Sequence, residues 1–122
     1  MAKAHSPAFL ALVTSIRPGI TEIPAAELVA ARAAAPGSAL IDVREDSEYA
    51  AGHIVGAEHI GRGVIERDIE KLHPDKAQKL FLYCGGGFRS ALACDNLQKM
   101  GYTNAVSVDG GWTALKELLP TE

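Results

Sequence analysis

The segment KLFLYCGGGFRSALACDNLQKMG, residues 79–101, contains the clearest strand pattern and the clearest helix pattern of the chain. Residues 79–83 hold an apolar run without alternation, which predicts a strand covered on both faces. Three glycines follow Cys84, and residues 88–100 then place apolar side chains at helical spacing before Gly101 ends the pattern. A strand, a glycine-rich turn and a helix in this order predict one unit of an α/β fold.

Cys84 is predicted to lie at the carboxyl end of that strand, which is where open α/β sheets place their sites. The next residues, Gly85, Gly86 and Gly87, permit positive φ and close backbone approach, so we expect the amides from Gly85 to Arg89 to converge on the sulfur. The positive end of the following helix and the charge of Arg89 act in the same direction. The pattern predicts a nucleophilic thiolate at Cys84, which a β-branched residue at position 86 is expected to disturb.

The alternation of strands and helices continues on both sides of this segment. Further strands are predicted at 19–23, 39–43, 57–60 and 105–108. Further helices are predicted at 24–35, 46–51, 65–72 and 111–119. Connections this short between strands and helices predict one α/β domain, with a central parallel sheet of about five strands flanked by helices.

Residues 1–19 are predicted to form an N-terminal helical extension. Ser6 is expected to cap its helix, with Pro7 at the first helical position. The face expected to pack comprises Phe9, Leu12, Val13 and Ile16. The apolar run at 8–13 is shorter than the core of an export signal, and no run reaches the ~20 apolar residues of a membrane span.

Composition narrows the class of protein. A formal charge of −3 over 122 residues argues against a nucleic-acid surface, which needs clustered Lys and Arg. Two cysteines do not make a disulfide framework, so a reducing, cytoplasmic location is expected. The histidines and cysteines lack metal-ligand spacing.

Several polar or bulky residues outside the glycine turn are assigned structural roles. Cys94 falls within a helix pattern and is predicted to be a small packed residue. Arg44 is expected to pair with Glu45 or Glu48. His53 is expected to satisfy nearby backbone groups. Trp112 is predicted to be a packing anchor at the start of the last helix.

Three short motifs follow one another along the chain. IDVRE at 41–45 is followed by EY at 48–49, GHI at 52–54 and GA at 56–57; YCGGGFRSA occupies 83–91, and DGGW occupies 109–112. In order and spacing these motifs resemble the rhodanese family of sulfurtransferases over roughly residues 20–119. One departure is IGRG at 60–63, where relatives often have Ile-Pro-Arg-Gly, so that Arg62 is kept and the proline is not.

The resemblance implies a rhodanese-like domain over residues 20–120 that acts as a thiosulfate sulfurtransferase. Cys84 would take sulfane sulfur from a small donor as a persulfide and pass it to a thiophilic acceptor, which is cyanide, a thiol or a sulfur-relay protein. Neither a metal nor an organic cofactor is expected. Thiosulfate and mercaptopyruvate both stay open as donors. The substrate-binding residues would be Gly85, Gly86, Gly87, Phe88, Arg89 and Arg62.

Two other classes of function remain as alternatives. Phosphatases and arsenate reductases also use a cysteine loop that ends in arginine, but they place five residues between the two, and only four separate Cys84 from Arg89. A sulfur carrier without turnover, or a regulatory binding module, would share the fold. The carrier would also share the loop.

Overall fold

The computed structural model describes residues 5–122 and contains one sheet of five parallel strands. The strands are β1 (Thr21–Pro24), β2 (Ala39–Asp42), β3 (Glu58–His59), β4 (Leu80–Tyr83) and β5 (Ala105–Asp109). Their order across the sheet is β1-β5-β4-β2-β3. The predicted parallel sheet of about five strands is therefore confirmed, and β4 lies at its centre.

Six α-helices connect and flank the strands. They are α1 (Pro7–Ile16), α2 (Leu28–Ala33), α3 (Asp46–Ala51), α4 (Ile65–Leu72), α5 (Phe88–Lys99) and α6 (Gly111–Leu115). Single 3₁₀ turns at Arg17–Gly19 and Ala25–Glu27 precede β1 and α2. The helix predicted at 24–35 therefore begins later, because Pro24 is the last residue of β1. The helix predicted at 111–119 ends at Leu115, whose carbonyl accepts from the amides of Leu118 and Leu119 in the following turn.

Alternate side chains of the central strands point into two apolar layers, one on each face of the sheet. One layer contains Leu80 and Leu82 of β4 with residues of α4 and α5. The opposite layer contains Phe81 and Tyr83 with residues of α2 and α6. Strands buried on both faces explain why 80–83 lacks polar alternation. Among residues 5–122, no helix combines the length and apolar character needed to cross a membrane.

The N-terminal helix α1 has the predicted cap. The Ser6 hydroxyl accepts from the Phe9 amide at 3.3 Å, and Pro7 occupies the first helical position. Val13 is buried, whereas Leu12 is 51% exposed, so the prediction that Leu12 belongs to the packed face is wrong. The packed stripe passes through Phe9, Val13 and Ile16, at spacings of four and three residues, and Leu12 lies beside it.

Candidate active site

The sheet order brings the ends of β2, β4 and β5 to one edge of the molecule. Because all three strands are parallel neighbours, the loops that follow them meet at this edge. The loop after β4 begins with Cys84 and runs into α5. The loop after β2 leads to α3, and the loop after β5 leads to α6. Each motif recognised in the sequence has residues in one of these loops.

The Cys84 sulfur is surrounded by hydrogen-bonding groups. The amide of Gly87 donates to it at 3.1 Å and the amide of Ser90 at 3.4 Å. The Ser90 hydroxyl lies 3.6 Å from the same sulfur. Convergence of every amide from Gly85 to Arg89 on the sulfur was predicted, but only Gly87 in that range points at it. Ser90, the third residue of α5, supplies the other amide.

Four loop amides remain available to a ligand. Within residues 5–122, the N–H groups of Gly85, Gly86, Phe88 and Arg89 donate no hydrogen bond. The amides of Phe88 and Arg89 belong to the first turn of α5, where a helix has no internal acceptors to offer. Together with the positive end of the helix dipole, such free N–H groups suit a bound anion.

The start of α6 fixes the orientation of the loop. The Trp112 amide donates to the Cys84 carbonyl at 2.7 Å, and the amide and hydroxyl of Thr113 both donate to the Gly85 carbonyl at 3.1 Å. In a trans peptide the N–H points opposite to the C=O. With the two carbonyls held toward α6, the amides of Gly85 and Gly86 point away from it. These amides are thereby oriented before any ligand arrives.

Two glycines have backbone conformations that the arrangement requires. Gly87 has φ of 105°, and a Cβ there would lie 3.3 Å from the Asp109 carboxylate. Gly111 has φ of 48°, and a Cβ there would overlap the Cys84 carbonyl oxygen. Gly86 differs, because its φ is not positive and a Cβ would make ordinary contact with the Phe88 ring at 3.7 Å. A single Cβ is therefore better tolerated at position 86 than at position 87, and the effect of a β-branched residue at 86 stays a prediction.

Arg89 is held by a carboxylate that the sequence analysis assigned elsewhere. Its two terminal nitrogens bond to the two oxygens of Glu48, at 2.7 and 3.1 Å. The hydrogen bond from Arg89 lowers the pKa of Glu48 to about 2. A Cβ on Gly85 would lie 3.1 Å from an Arg89 nitrogen, so the guanidinium rests against the loop. Arg89 is thus an ion-paired support of the loop.

Arg62 lies outside the loop around Cys84. Its amide donates to the Val43 carbonyl at 2.9 Å, and its guanidinium bonds to Glu66 at 3.3 Å. Within the described part of the chain, no hydrogen bond or ion pair joins Arg62 to residues 84–90. The structure therefore joins Arg62 to the end of β2 and to Glu66 rather than to the loop, and its part in donor binding stays a prediction.

Phe88 connects the loop to the N-terminal extension. Its ring centroid lies 4.6 Å from that of His5 and 6.1 Å from that of Phe9, and the Arg17 guanidinium lies 5.1 Å from it. These distances are in the range of aromatic and cation–π contacts. The Phe88 ring also faces the loop, because a Cβ on Gly86 would lie 3.7 Å from ring atoms. The extension therefore forms the wall behind this side chain.

The residues assigned structural roles are mostly confirmed as such. The predicted partner of Arg44 is wrong, because Arg44 pairs with Asp42 at 2.8 Å rather than with Glu45 or Glu48. Both partners are buried, and Arg44 also donates to the Gly52 carbonyl and lies over the Trp112 ring. A ring nitrogen of His53 contacts the Tyr49 carbonyl at 2.9 Å, as expected of a local backbone contact.

The second cysteine, Cys94, belongs to the apolar core rather than to the loop around Cys84. Cys94 is buried in the layer formed with α4 and α5, as predicted for a packed residue. Burial raises the pKa of its thiol. Within residues 5–122, no group of three or more His, Cys, Asp or Glu side chains is arranged to hold a metal ion.

Sequence reasoning missed two hydroxyls next to Cys84. Ser90 was recognised only as part of a motif, and Ser107 was not singled out. The Ser107 hydroxyl lies 2.8 Å from that of Ser90, and both residues are buried. The available signal was a serine inside the apolar run Ala105–Val108, since a polar residue in a strand buried on both faces requires a partner.

Comparison with known proteins gives one family. The family model of the rhodanese-like domain matches residues 25–118. The thiosulfate sulfurtransferase GlpE of Pseudomonas entomophila is 33% identical over 88 residues, which cover 72% of this chain and 79% of that protein. The uncharacterized protein YqhL of Bacillus subtilis is 37% identical over 73 residues, 60% of this chain, and the match spans only 56% of that protein.

A solved structure matches the whole described fold. It is a protein of unknown function from Rhodopseudomonas palustris, described as a possible tyrosine phosphatase. The TM-score is 0.83 at 26% identity, and the match covers 100% of this chain and 99% of that one. The match therefore includes the N-terminal region, which the family model does not reach.

Proposed function

Since this chain belongs to the rhodanese-like domain family, in which GlpE relatives are named thiosulfate sulfurtransferases, we propose that it transfers sulfane sulfur through a persulfide on Cys84. The donor is thiosulfate or a similar small molecule, and the acceptor is a thiophile such as cyanide, a thiol or a sulfur-relay protein. One observation carries the proposal. The Cys84 sulfur accepts from two amides, and four further amides of residues 85–89 donate no hydrogen bond within residues 5–122.

The first step is attack of the Cys84 thiolate on the outer sulfur of thiosulfate. A sulfur–sulfur bond forms to Cys84, and the bond between the two thiosulfate sulfurs breaks. Sulfite departs with the electron pair of that bond, so the cysteine is left as a persulfide anion and no external oxidant or reductant is needed. This is covalent catalysis by an activated nucleophile.

The free amides act on the negative charge of the persulfide. Gly85 and Gly86 present N–H groups fixed by the contacts of their loop with α6. Phe88 and Arg89 present the N–H groups of the first helical turn. Donors that are oriented in advance stabilise a developing anion without reorganisation, as an oxyanion hole does. In the second step, cyanide attacks the terminal sulfur, thiocyanate leaves, and the Cys84 thiolate is restored.

The cationic groups have different proposed roles. Arg89 stays charged, since its bonds to Glu48 raise its pKa and the charge at Cys84 does so as well. We assign it to loop support and to attraction of the anionic donor. Arg62 is assigned, beside Arg89, to attraction of the donor's sulfonate group. The chemistry requires no metal and no organic cofactor.

The test is thiosulfate-to-cyanide transfer followed as thiocyanate, with persulfide retention measured in parallel. Protein incubated with thiosulfate is desalted, and intact mass shows whether one sulfur atom remains bound. Steady turnover with ping-pong kinetics supports an enzyme. Retention of the sulfur without turnover indicates a sulfur carrier. A protein that shows no turnover and retains no sulfur overturns the proposed function.

A phosphatase assay is the matched control, because the structure from Rhodopseudomonas palustris is described as a possible tyrosine phosphatase. Only four residues separate Cys84 from Arg89, a short ring for a phosphate group. Arg89 is also engaged by Glu48. We expect no release of phosphate from an aryl phosphate, and efficient release would favour the phosphatase.

A further inference from the structure

Two buried hydroxyls form a chain behind the Cys84 sulfur. The Ser90 hydroxyl lies 3.6 Å from that sulfur, and the Ser107 hydroxyl lies 2.8 Å from Ser90. Both serines are 0% exposed. Ser107 belongs to β5 and pairs in register with Leu82 of β4, so the chain runs from the loop into the middle of the sheet.

The number of protons in this chain depends on the state of the sulfur. Within residues 5–122, the side chain of Ser107 has Ser90 as its hydrogen-bond partner and no other. Two hydrogen bonds therefore join three groups, which are the Cys84 sulfur and the hydroxyls of Ser90 and Ser107. Each hydrogen bond uses one proton. When Cys84 is a thiol, three protons compete for two hydrogen bonds, and one buried proton has no acceptor. A buried donor without an acceptor is unfavourable.

The count balances when the sulfur carries no proton. The Ser107 hydroxyl then donates to Ser90, and Ser90 donates to the sulfur, so each proton has an acceptor. This holds for the thiolate, and it also holds for the inner sulfur of a persulfide. Without the Ser107 hydroxyl the same excess of one proton would remain in the thiol state, so the count alone reflects Ser90. Ser107 acts by polarisation, because its donation to the Ser90 oxygen makes the Ser90 hydroxyl a stronger donor to the sulfur.

We propose that Ser107 is a positioning residue that acts through Ser90 to favour the unprotonated sulfur of Cys84. The inference rests on the proposed function and adds a residue to the same site. Arg89 and Cys94 of α5 both interact electrostatically with this sulfur. Arg89 is itself paired with Glu48 of α3. Ser107 supplies the contribution from β5, behind the loop.

The test is the rate at which iodoacetamide alkylates Cys84, located by peptide mapping, in wild type and Ser107→Ala. Each rate at neutral pH is divided by the rate in alkaline solution, where the thiol is deprotonated in both proteins. The division removes differences in access. We expect this ratio to fall about two-fold in the variant, because the Ser90 hydroxyl loses the bond that polarises it and becomes a weaker donor to the sulfur. Thermal unfolding verifies that the variant is folded.

A second pair of variants separates the hydroxyl from side-chain volume. Ser107→Thr keeps the hydroxyl, and Ser107→Val has nearly the same shape as the Thr variant but no hydroxyl. The ratio should stay near wild type for Thr and fall for Val. An unchanged ratio in Ser107→Ala, or equal ratios for Thr and Val, overturns the inference.

Alkylation needs no sulfur donor, so the two proposals fail separately. A wild-type protein that takes up no sulfur from thiosulfate overturns the proposed function, while the alkylation ratios still decide the role of Ser107.

Discussion

Cys84 and Cys94 are ten residues apart and equally hidden from solvent, with exposures of 1% and 0%, yet their surroundings differ. The Cys84 sulfur has two amides and a hydroxyl within hydrogen-bonding distance. Cys94 lies within α5 among apolar side chains, and burial raises the pKa of its thiol. Exposure alone therefore does not separate the proposed nucleophile from the packed residue. The polar groups around each sulfur do.

The difference arises from where each cysteine falls along α5. Cys84 precedes the helix, where amides still lack partners, and Cys94 follows the first turns, where each amide has an acceptor inside the helix. The same helix thus provides donors at its start and a closed apolar surface further on. The predictions below test this contrast, beginning with the largest expected effect.

Replacing Cys84 by Ser should abolish sulfur transfer, because the hydroxyl is far less nucleophilic than a thiolate and cannot hold a persulfide. Thiocyanate production and intact mass after incubation with thiosulfate measure the loss. Circular dichroism should show an unchanged fold. Residual turnover near wild type would remove Cys84 from the mechanism.

Gly111→Ala should damage the site at a distance from the sulfur. The added Cβ would overlap the Cys84 carbonyl oxygen and would sit at positive φ, so the loop must move. A displacement of about 1 Å at a reacting group can cost about 100-fold in rate. We expect a loss of that order in kcat/KM, together with a lower Tm.

Gly19→Ala is the matched control for Gly111, because nothing lies within 4 Å of a Cβ there. Its kinetics should equal those of wild type. Equal kinetics for the two alanine variants would contradict the role of the α6 contact.

Glu48→Gln should lower stability by about 1 kcal/mol at neutral pH, after allowance for solvent screening of this partly exposed pair. The folded-state pKa of Glu48 is about 2, below its ordinary value of 4.5. The contribution of the charge is therefore complete above about pH 4.5 and disappears as the pH falls toward 2. Urea unfolding of both proteins across this window should show their stabilities converging. A constant difference would mean that the charge is not responsible.

Cys94→Ser should leave sulfur transfer within about three-fold of wild type, since a neutral packed thiol has no part in the proposed chemistry. The measurement is kcat/KM beside that of Cys84→Ser. A loss as complete as that of Cys84→Ser would indicate a mechanism with two thiols.

The parallel sheet, α5 and the position of Cys84 were predictable because apolar runs and helical spacing are local signals. Leu80 to Tyr83 and Phe88 to Lys99 show this directly. The glycines after Cys84 also marked the turn. Their individual conformations were not predictable, because a positive φ at Gly87 depends on where Asp109 lies.

The contacts that shape the candidate site join distant parts of the chain. Glu48 bonds to Arg89 across 41 positions, and the Trp112 amide bonds to the Cys84 carbonyl across 28. Both depend on the order of strands in the sheet, which no local pattern contains. The missed contact between Ser90 and Ser107 has the same cause. The misassigned pairing of Arg44 does not, because its partner Asp42 lies only two positions away.

The contact between α6 and the loop also has a consequence for biosynthesis. Ribosomes make a chain from its N-terminus, so Cys84 and its glycines are complete before Trp112 exists. Until the end of β5 and α6 have been made, the carbonyls of Cys84 and Gly85 lack their donors and the loop amides have no fixed direction. The thiol of the nascent chain therefore lacks its oriented donors, and the candidate site is completed only after α6 has been synthesised and packed.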